Sequence, residues 1–215
     1  MKRVLICVDR DGTVAYDKKH RPKYHLGRQR NWKSKIKFVE NALEGLRILR
    51  KKLPAAKIYL ISNQPGVAIK EFPLLTEKKA HEVFKYIIKK LEKRGVSVDG
   101  YEVCPRASRE YVKKHPQYTF HKKLVGNFSC FKPRPGMIRS ILKKEKLKKN
   151  QTKIYVIGDR VSDVKTAHKI DGFGILVPFI YQLEEKEKVK KMKNRKKYVA
   201  RDFLNAARFI IKREL

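Results

Sequence analysis

The chain has 215 residues, and its 55 Lys and Arg against 21 Asp and Glu give a formal net charge of +34. A hydrophobic fraction of 41% excludes general disorder, and no apolar stretch approaches the ~20 residues that span a bilayer. The charge favours polyanionic partners such as nucleic acid or phosphorylated substrates. Lysines spread along the whole chain fit a lysine-rich proteome equally well.

The start of the chain indicates a soluble protein. Residues 1–3 lead directly into an apolar run that is too short for a signal peptide, so we expect a cytoplasmic protein without membrane contacts. We also expect a monomer. Three cysteines, at positions 7, 104 and 130, are too few for a disulfide framework, and Cys7 has the setting of a buried strand residue.

The first predicted element is a buried strand over residues 4–8, because this run is short, apolar and rich in β-branched side chains. Asp9 and Asp11 follow it. Alternate side chains point to the same side of a strand, so both carboxylates can reach one site. Asp and Gly are also common turn formers, and residues 9–13 taken alone fit a simple turn as well as a functional site.

Residues 16–37 are basic, carry interleaved aromatic side chains and lack a helical period. We interpret them as a long loop or flap near Asp9 and Asp11. Such a segment could stack bases and hold phosphates, but the favoured interpretation is a solvated loop that Trp32 anchors to the core.

The middle of the chain alternates between helices and strands. Apolar spacing predicts helices over residues 38–53 and 76–94, with strands over 57–61 and 98–103. Ser62 and Asn63 follow the first of these strands and enter a glycine turn, which offers a hydroxyl, an amide and backbone N–H groups to a phosphate. A plain turn would look similar.

An irregular basic stretch, residues 104–131, has the character of a small inserted subdomain. Lys132 follows it within a Lys-Pro-Arg-Pro-Gly-Met run, and a helix is predicted over residues 136–147. A lysine held by a rigid turn is well placed to neutralise carboxylates or phosphate, whereas a surface lysine is the simpler interpretation of this run alone.

The last third repeats the pattern of a strand that ends in carboxylates. A strand over residues 153–157 is followed by Asp159 and Asp163 at the entrance to a helix over 162–170. A strand at 174–177 and a charged connector or helix at 184–197 come next. Finally, residues 198–215 are predicted to form a helix packed on the sheet.

Alternating strands and helices predict an α/β fold with a doubly wound parallel sheet in one main domain, residues 1–215. The carboxyl ends of its strands share one edge, which brings Asp9, Asp11, Asp159 and Asp163 together. Carboxylates packed together repel one another and require a cation, and an oxygen-only ligand set indicates Mg²⁺.

Four motifs in order resemble those of the haloacid dehalogenase-like (HAD) phosphatases, over about residues 3–180. They are Asp9-Arg-Asp-Gly-Thr, Ser62-Asn63, Lys132-Pro133 and Gly158-Asp159 with Asp163. Within this group they are most similar to the branch of D-glycero-D-manno-heptose 1,7-bisphosphate phosphatase and histidinol-phosphate phosphatase. The resemblance implies a Rossmann-like fold with at most a small cap near 104–131.

The resemblance also implies a mechanism and a role for each motif residue. Asp9 would be the nucleophile that forms an aspartyl-phosphate, and Asp11 the general acid and base. The remaining roles are Mg²⁺ binding by Asp9, the carbonyl of Asp11 and Asp159; phosphate or substrate binding by Ser62, Asn63, Lys132 and Arg134; and support by Asp163.

The chain departs from this branch at its zinc loop, whose Cys-x-His and Cys-x-Cys pairs read Cys104-Pro-Arg and Phe-Ser-Cys130 here. A zinc site would need His115 and His121 as the other two ligands. Phe131 also replaces the arginine that commonly precedes the motif lysine in the heptose enzymes, which argues against heptose bisphosphate itself.

Three functions remain open at this point. The first is a Mg²⁺-dependent phosphatase of a small metabolite, such as a sugar phosphate or bisphosphate resembling heptose bisphosphate. The second is a nucleic-acid 3′-end phosphatase, which the charge and the flap favour. The third is a catalytically idle nucleic-acid-binding protein on the same fold, against which the complete carboxylate set argues.

Overall fold

The computed structural model describes residues 3–18, 25–179 and 184–215. The helices and strands in these ranges alternate along most of the chain. The strands are β1 (Arg3–Asp9), β2 (Ala15–Asp17), β3 (Ile36–Phe38), β4 (Lys57–Asn63), β5 (Gly100–Cys104), β6 (Thr152–Gly158), β7 (Phe173–Leu176) and β8 (Lys197–Val199). The helices are α1 (Trp32–Lys35), α2 (Ala42–Lys52), α3 (Glu77–Glu92), α4 (Arg109–Lys114), α5 (Gly136–Lys144), α6 (Val161–His168), α7 (Glu184–Lys190) and α8 (Phe203–Glu214).

Six strands form one parallel sheet in the order β5-β4-β1-β6-β7-β8. Strand β1 lies inside the sheet between β4 and β6, and it is apolar along almost its whole length because helices cover both faces. The predicted α/β fold with a doubly wound parallel sheet is therefore confirmed.

The alternation of side chains along β1 divides the core into two layers. Ile6 and Val8 pack with residues of α2, α3 and α8 on one face of the sheet. Leu5 and Cys7 point to the other face, where they pack with residues of α5 and α6. Fully buried side chains on both faces hold the strand, and with it the residues at its carboxyl end, in one position.

Local signals account for several helix ends. The helix α2 ends just before Leu53-Pro54, and the hydroxyl of Thr76 caps α3 by accepting a hydrogen bond from the Lys79 N–H at 3.1 Å. The carboxylate of Asp202 caps α8 in the same way through the Asn205 N–H at 2.7 Å. The last helix therefore begins five residues later than the sequence predicts.

The strand β8 was not predicted, since its three residues follow a charged run and carry too short a pattern to be distinguished from a connector. It pairs with β7 and completes one edge of the sheet.

The predicted flap is a small antiparallel hairpin of β2 and β3, in which Ala15 faces Phe38 and Asp17 faces Ile36. Residues 19–24 of the flap lie outside the described residues. Trp32 is only 3% exposed and packs edge-on against Tyr86, with ring centroids 5.2 Å apart. The prediction that Trp32 anchors this segment to the core is confirmed.

Within the described ranges, no helix is both long and apolar enough to cross a membrane.

The contact between α2 and α8 generates the first prediction. A Cβ atom on Gly45 would lie 2.4 Å from the Phe203 ring, so Gly45→Ala should lower the free energy of unfolding by about 1–3 kcal/mol through overpacking. Helix propensity alone would change stability by about 1 kcal/mol in the opposite direction. Urea unfolding measures the difference.

The double variant Gly45→Ala/Phe203→Leu supplies the control, because it removes the ring carbons nearest the added methyl group. We expect Gly45→Ala to lower the free energy of unfolding less in the Phe203→Leu background than in the wild type. A Gly45→Ala variant that is more stable than the wild type would contradict the packing described above.

Candidate active site

Two carboxylates lie at the carboxyl ends of neighbouring strands. Asp9 is the last residue of β1 and Asp159 directly follows β6, and the two residues are 5% and 2% exposed. The loop after β1 passes close to Asp159, since a Cβ on Gly12 would lie 2.5 Å from Asp159 Oδ2. Gly12 has φ +80°, so both its conformation and its contact require a glycine.

Lys132 forms ion pairs with two carboxylates of the site, one at the end of β1 and one in α6. Its Nζ lies 2.5 Å from Asp9 Oδ1 and 2.5 Å from Asp163 Oδ1, and all three side chains are buried. Asp163 in turn accepts a hydrogen bond from the Arg160 N–H at 3.1 Å at the start of α6. The ammonium group is thus held between the end of β1 and the first turn of α6.

The backbone of Lys132 is fixed by Asn63 at the end of β4. Asn63 Oδ1 accepts from the Lys132 N–H at 2.8 Å, and Asn63 Nδ2 donates to the Lys132 carbonyl at 3.1 Å. Asn63 lines the same cavity as the other predicted residues, but its amide contacts the lysine loop. Its observed contacts are those of a positioning residue.

Asp11 is held by three donors. Arg10 donates to both carboxylate oxygens, at 2.9 Å and 2.7 Å, and Gln64 Nε2 donates to Asp11 Oδ2 at 2.6 Å. Ser62 Oγ lies 3.3 Å from the same oxygen. Arg10 is itself fully buried, with its guanidinium 4.5 Å from the centroid of the Phe84 ring. The side chain of Asp11 is therefore fixed from the core side of the sheet.

Burial dominates the electrostatics of the carboxylates. It raises the pKa of Asp9 to about 7, although Lys132 acts in the opposite direction. Burial also raises the pKa of Asp159 well above its usual range, against the effect of Arg160 and with that of Asp9. Burial alone would lower the pKa of Lys132, but Asp163 and Asp9 raise it above its ordinary value.

The donor set fits a hard divalent cation. Asp9 and Asp159 are buried carboxylates whose anionic forms are disfavoured by their surroundings, and a cation between them would offset this. No group of three or more His, Cys, Asp or Glu side chains suited to a metal occurs in residues 3–18, 25–179 and 184–215. The oxygen ligands for such a cation would therefore be the carboxylates of Asp9 and Asp159 together with a main-chain carbonyl, such as that of Asp11.

The predicted zinc alternative is wrong for these residues. Cys104, at the end of β5, and Cys130 form a disulfide with Cα atoms 5.4 Å apart, so neither sulfur is a free thiolate. His115 Nδ1 lies 2.8 Å from the Tyr111 carbonyl. This single bond joins the two ends of the 104–131 segment, a pairing that the sequence analysis did not predict.

A cavity of about 540 Å³ opens over the strand ends. It is lined by all eight residues that the sequence assigned to catalysis, substrate, magnesium or support, which are Asp9, Asp11, Ser62, Asn63, Lys132, Arg134, Asp159 and Asp163. The segment 104–131 forms a wall through α4, whose Ser108 cap accepts from the Tyr111 N–H at 3.0 Å. The motifs predicted from separate parts of the chain therefore meet in one place.

Three contributors were missed in the sequence. Arg10 and Gln64 sit inside the recognised motifs, and only their contacts with Asp11 identify their part in the site. His25 lines the cavity from the flap, and its ring centroid lies 5.1 Å from that of Phe72. Gly66 makes room for His25, because a Cβ there would lie 2.5 Å from His25 Nδ1. No spacing in the flap marks this histidine.

Comparison with known sequences agrees with these motifs. Residues 129–206, which include Lys132, Asp159 and Asp163, match the HAD-hydrolase-like family model. The histidine biosynthesis bifunctional protein HisB of Campylobacter jejuni subsp. doylei is 28% identical over 175 residues, or 81% of this chain. The HisB protein of Buchnera aphidicola subsp. Schizaphis graminum is 27% identical over 187 residues. The chain covers only 42% and 43% of these two proteins.

Solved structures share the fold. The D,D-heptose 1,7-bisphosphate phosphatase of B. bronchiseptica, determined with magnesium and phosphate, superposes with a TM-score of 0.71 at 19% identity and 99% coverage of both chains. A HAD-like protein from Mesorhizobium loti gives a TM-score of 0.62 at 19% identity, over 82% of this chain and 73% of its own. The resemblance inferred from the four motifs is confirmed by the family model and the fold.

The surroundings of His25 generate a pH prediction. Burial lowers the pKa of His25 to about 4, which the carboxylate of Asp11 only partly opposes. Between about pH 6.5 and pH 4 the unfolded chain binds a proton that the folded chain does not, so stability falls as the pH falls. His25→Gln should remove up to about 3 kcal/mol of this loss.

Urea unfolding at pH 7, 5.5 and 4 measures the effect as a difference between wild type and variant. The exposed His121→Gln serves as the matched control and should follow the wild-type curve. Parallel curves for wild type and His25→Gln would show that His25 is not kept neutral by the fold.

Proposed function

We propose that this haloacid dehalogenase-like chain is a Mg²⁺-dependent phosphomonoesterase that acts through an aspartyl-phosphate intermediate. The observation that carries the proposal is the position of Lys132, 2.5 Å from both Asp9 and Asp163 at the floor of a cavity. A fixed ammonium group beside a buried carboxylate would stabilise the negative charge of a phosphoryl group during its transfer to that carboxylate.

In the first step Asp9 attacks phosphorus. A bond forms between its carboxylate oxygen and phosphorus, and the bond between phosphorus and the substrate oxygen breaks. Asp11 gives a proton to the departing alkoxide. Arg10 and Gln64 hold Asp11 for this transfer, since each donates a hydrogen bond to its carboxylate.

In the second step a water attacks the aspartyl-phosphate. Asp11, now ionised, accepts a proton from this water, and the bond between phosphorus and Asp9 breaks to release inorganic phosphate. Both steps use the same two carboxylates in opposite protonation states. The lower exposure of Asp9 suits the nucleophile, and the 19% exposed side chain of Asp11 suits proton exchange with substrate and water.

The phosphate oxygens need positive charge and donors. Lys132 and the Ser62 hydroxyl supply them from the floor of the cavity, and Asp163 keeps the lysine in place. A bound Mg²⁺, held by Asp9, Asp159 and the Asp11 carbonyl, would supply the remaining charge compensation for the phosphoryl group.

The substrate is the phosphomonoester of a small metabolite, of which a sugar phosphate is the favoured class. Support comes from the fold shared with a heptose bisphosphate phosphatase and from the sequence similarity to HisB. Phe131 precedes the motif lysine in this chain, and we propose that Arg134, which lines the cavity, contacts the substrate in place of the missing arginine.

The nucleophile provides the direct test. Asp9→Asn should lower kcat by at least about 10³-fold, since an amide cannot form the covalent intermediate. It should stay folded, because Lys132 keeps its pairing with Asp163. Release of phosphate with Mg²⁺ from a panel of sugar phosphates, nucleotides and histidinol phosphate measures activity, and thermal unfolding measures folding.

Asp171→Asn is the matched control, as Asp171 is an exposed carboxylate paired with Lys196 outside the cavity. It should retain wild-type activity. Full activity of Asp9→Asn would overturn the nucleophile assignment, and a wild-type enzyme inactive on every monoester of the panel would overturn the phosphatase proposal.

A further inference from the structure

One wall of the cavity is built from aromatic rings. We define the aromatic band as Phe131, Tyr111, His115, Tyr118, Phe72 and His25. Five of these six residues line the cavity, and Phe72 contacts the rings of Tyr118 and His25. Phe131 directly precedes Lys132, so the band begins beside the phosphate position and runs towards the flap.

The rings of the aromatic band contact one another in sequence. The centroids of Phe131 and Tyr111 are 6.4 Å apart, those of Tyr111 and His115 4.0 Å, and those of His115 and Tyr118 6.5 Å. Phe72 then contacts Tyr118 at 5.3 Å and His25 at 5.1 Å. Tyr111, His115 and Tyr118 lie within about 20° of parallel at each step, with interplanar angles of 21° and 17°.

The band is preorganised. The Ser108 cap fixes the start of α4, and the ring of His115 is held by the Tyr111 carbonyl at 2.8 Å. The Cys104–Cys130 disulfide joins the two ends of the segment that carries Tyr111, His115 and Tyr118. Rings fixed before a ligand arrives lose little conformational entropy on binding.

The π-face of a base stacks on aromatic rings. Resting on the phosphatase activity proposed above, we propose that the leaving group of the substrate carries a nucleobase, which packs along the aromatic band while the phosphate binds at Lys132. A sugar phosphate that carries a base is a nucleotide, either free or at the end of a nucleic acid strand.

The volume and charge of the cavity suit a nucleotide. The cavity of about 540 Å³ has the volume of sites that bind ligands of this size. Lys114, Arg134, Arg160 and Lys169 also line it and suit an anionic ligand.

The test compares kcat/KM for adenosine 5′-monophosphate, adenosine 3′-monophosphate and ribose 5-phosphate, which lacks the base. We expect the better nucleotide to exceed ribose 5-phosphate by about 5- to 100-fold, the contribution of one stacked base. Tyr118→Leu should reduce this ratio at least about fivefold, mainly through KM, because the interaction holds substrate and transition state alike.

Tyr198→Leu is the matched control, since Tyr198 stacks on Phe209 away from the cavity, and it should leave the ratio unchanged. A 3′-phosphorylated oligonucleotide separates the two sources of the nucleotide. Preference for it, with activity that falls steeply as salt rises, assigns the strand end, and preference for the mononucleotides assigns the free form.

Equal or better hydrolysis of ribose 5-phosphate or histidinol phosphate would overturn the nucleobase assignment and leave the phosphatase proposal standing. The same holds if Tyr118→Leu folds and keeps the wild-type ratio. A wild-type enzyme that is inactive on every one of these substrates would overturn the phosphatase proposal instead, so the two failures are distinguishable.

Discussion

The ion pairs of Lys132 are the interaction on which the site depends. Asp9, Asp159 and Asp163 are buried at one edge of the sheet, and each carboxylate there is costly unless it is compensated. Lys132 reaches two of them at 2.5 Å and comes from a loop far from both in sequence. One ammonium group cannot compensate three carboxylates. The negative charge that is left over explains why these carboxylates suit a metal ion.

Close packing around this pairing demands particular residues nearby. Gly12 lets the loop after β1 pass Asp159, and a side chain at Gly158 would overlap the carboxylate of Asp163. The amide of Asn63 forms two hydrogen bonds with the backbone of Lys132, and the buried Arg10 donates to the carboxylate of Asp11. Residues that look like turn formers in the sequence therefore set the spacing of the charged groups.

The sequence predicted the chemistry of the sheet edge because each piece has a local signal. A buried strand that ends in Asp9, Ser62 or Asp159 can be recognised by its apolar run, and a parallel sheet places those ends together. Contacts between distant segments have no such signal. The roles of Asn63 and Gln64 and the place of His25 became visible only when folding brought them to Lys132, Asp11 and Phe72.

The segment 104–131 is the part that sequence reasoning could not resolve, and its cysteines show why. Two cysteines suffice for one disulfide, whereas a tetrahedral zinc site needs four ligands, and the ring of His115 contacts the Tyr111 carbonyl instead. The bond still ties the end of β5 to the residue two positions before Lys132. Because it closes the segment at its base, Tyr111 of α4 stays fixed near Phe131, and the wall that we propose for the leaving group is tied to the loop that carries Lys132.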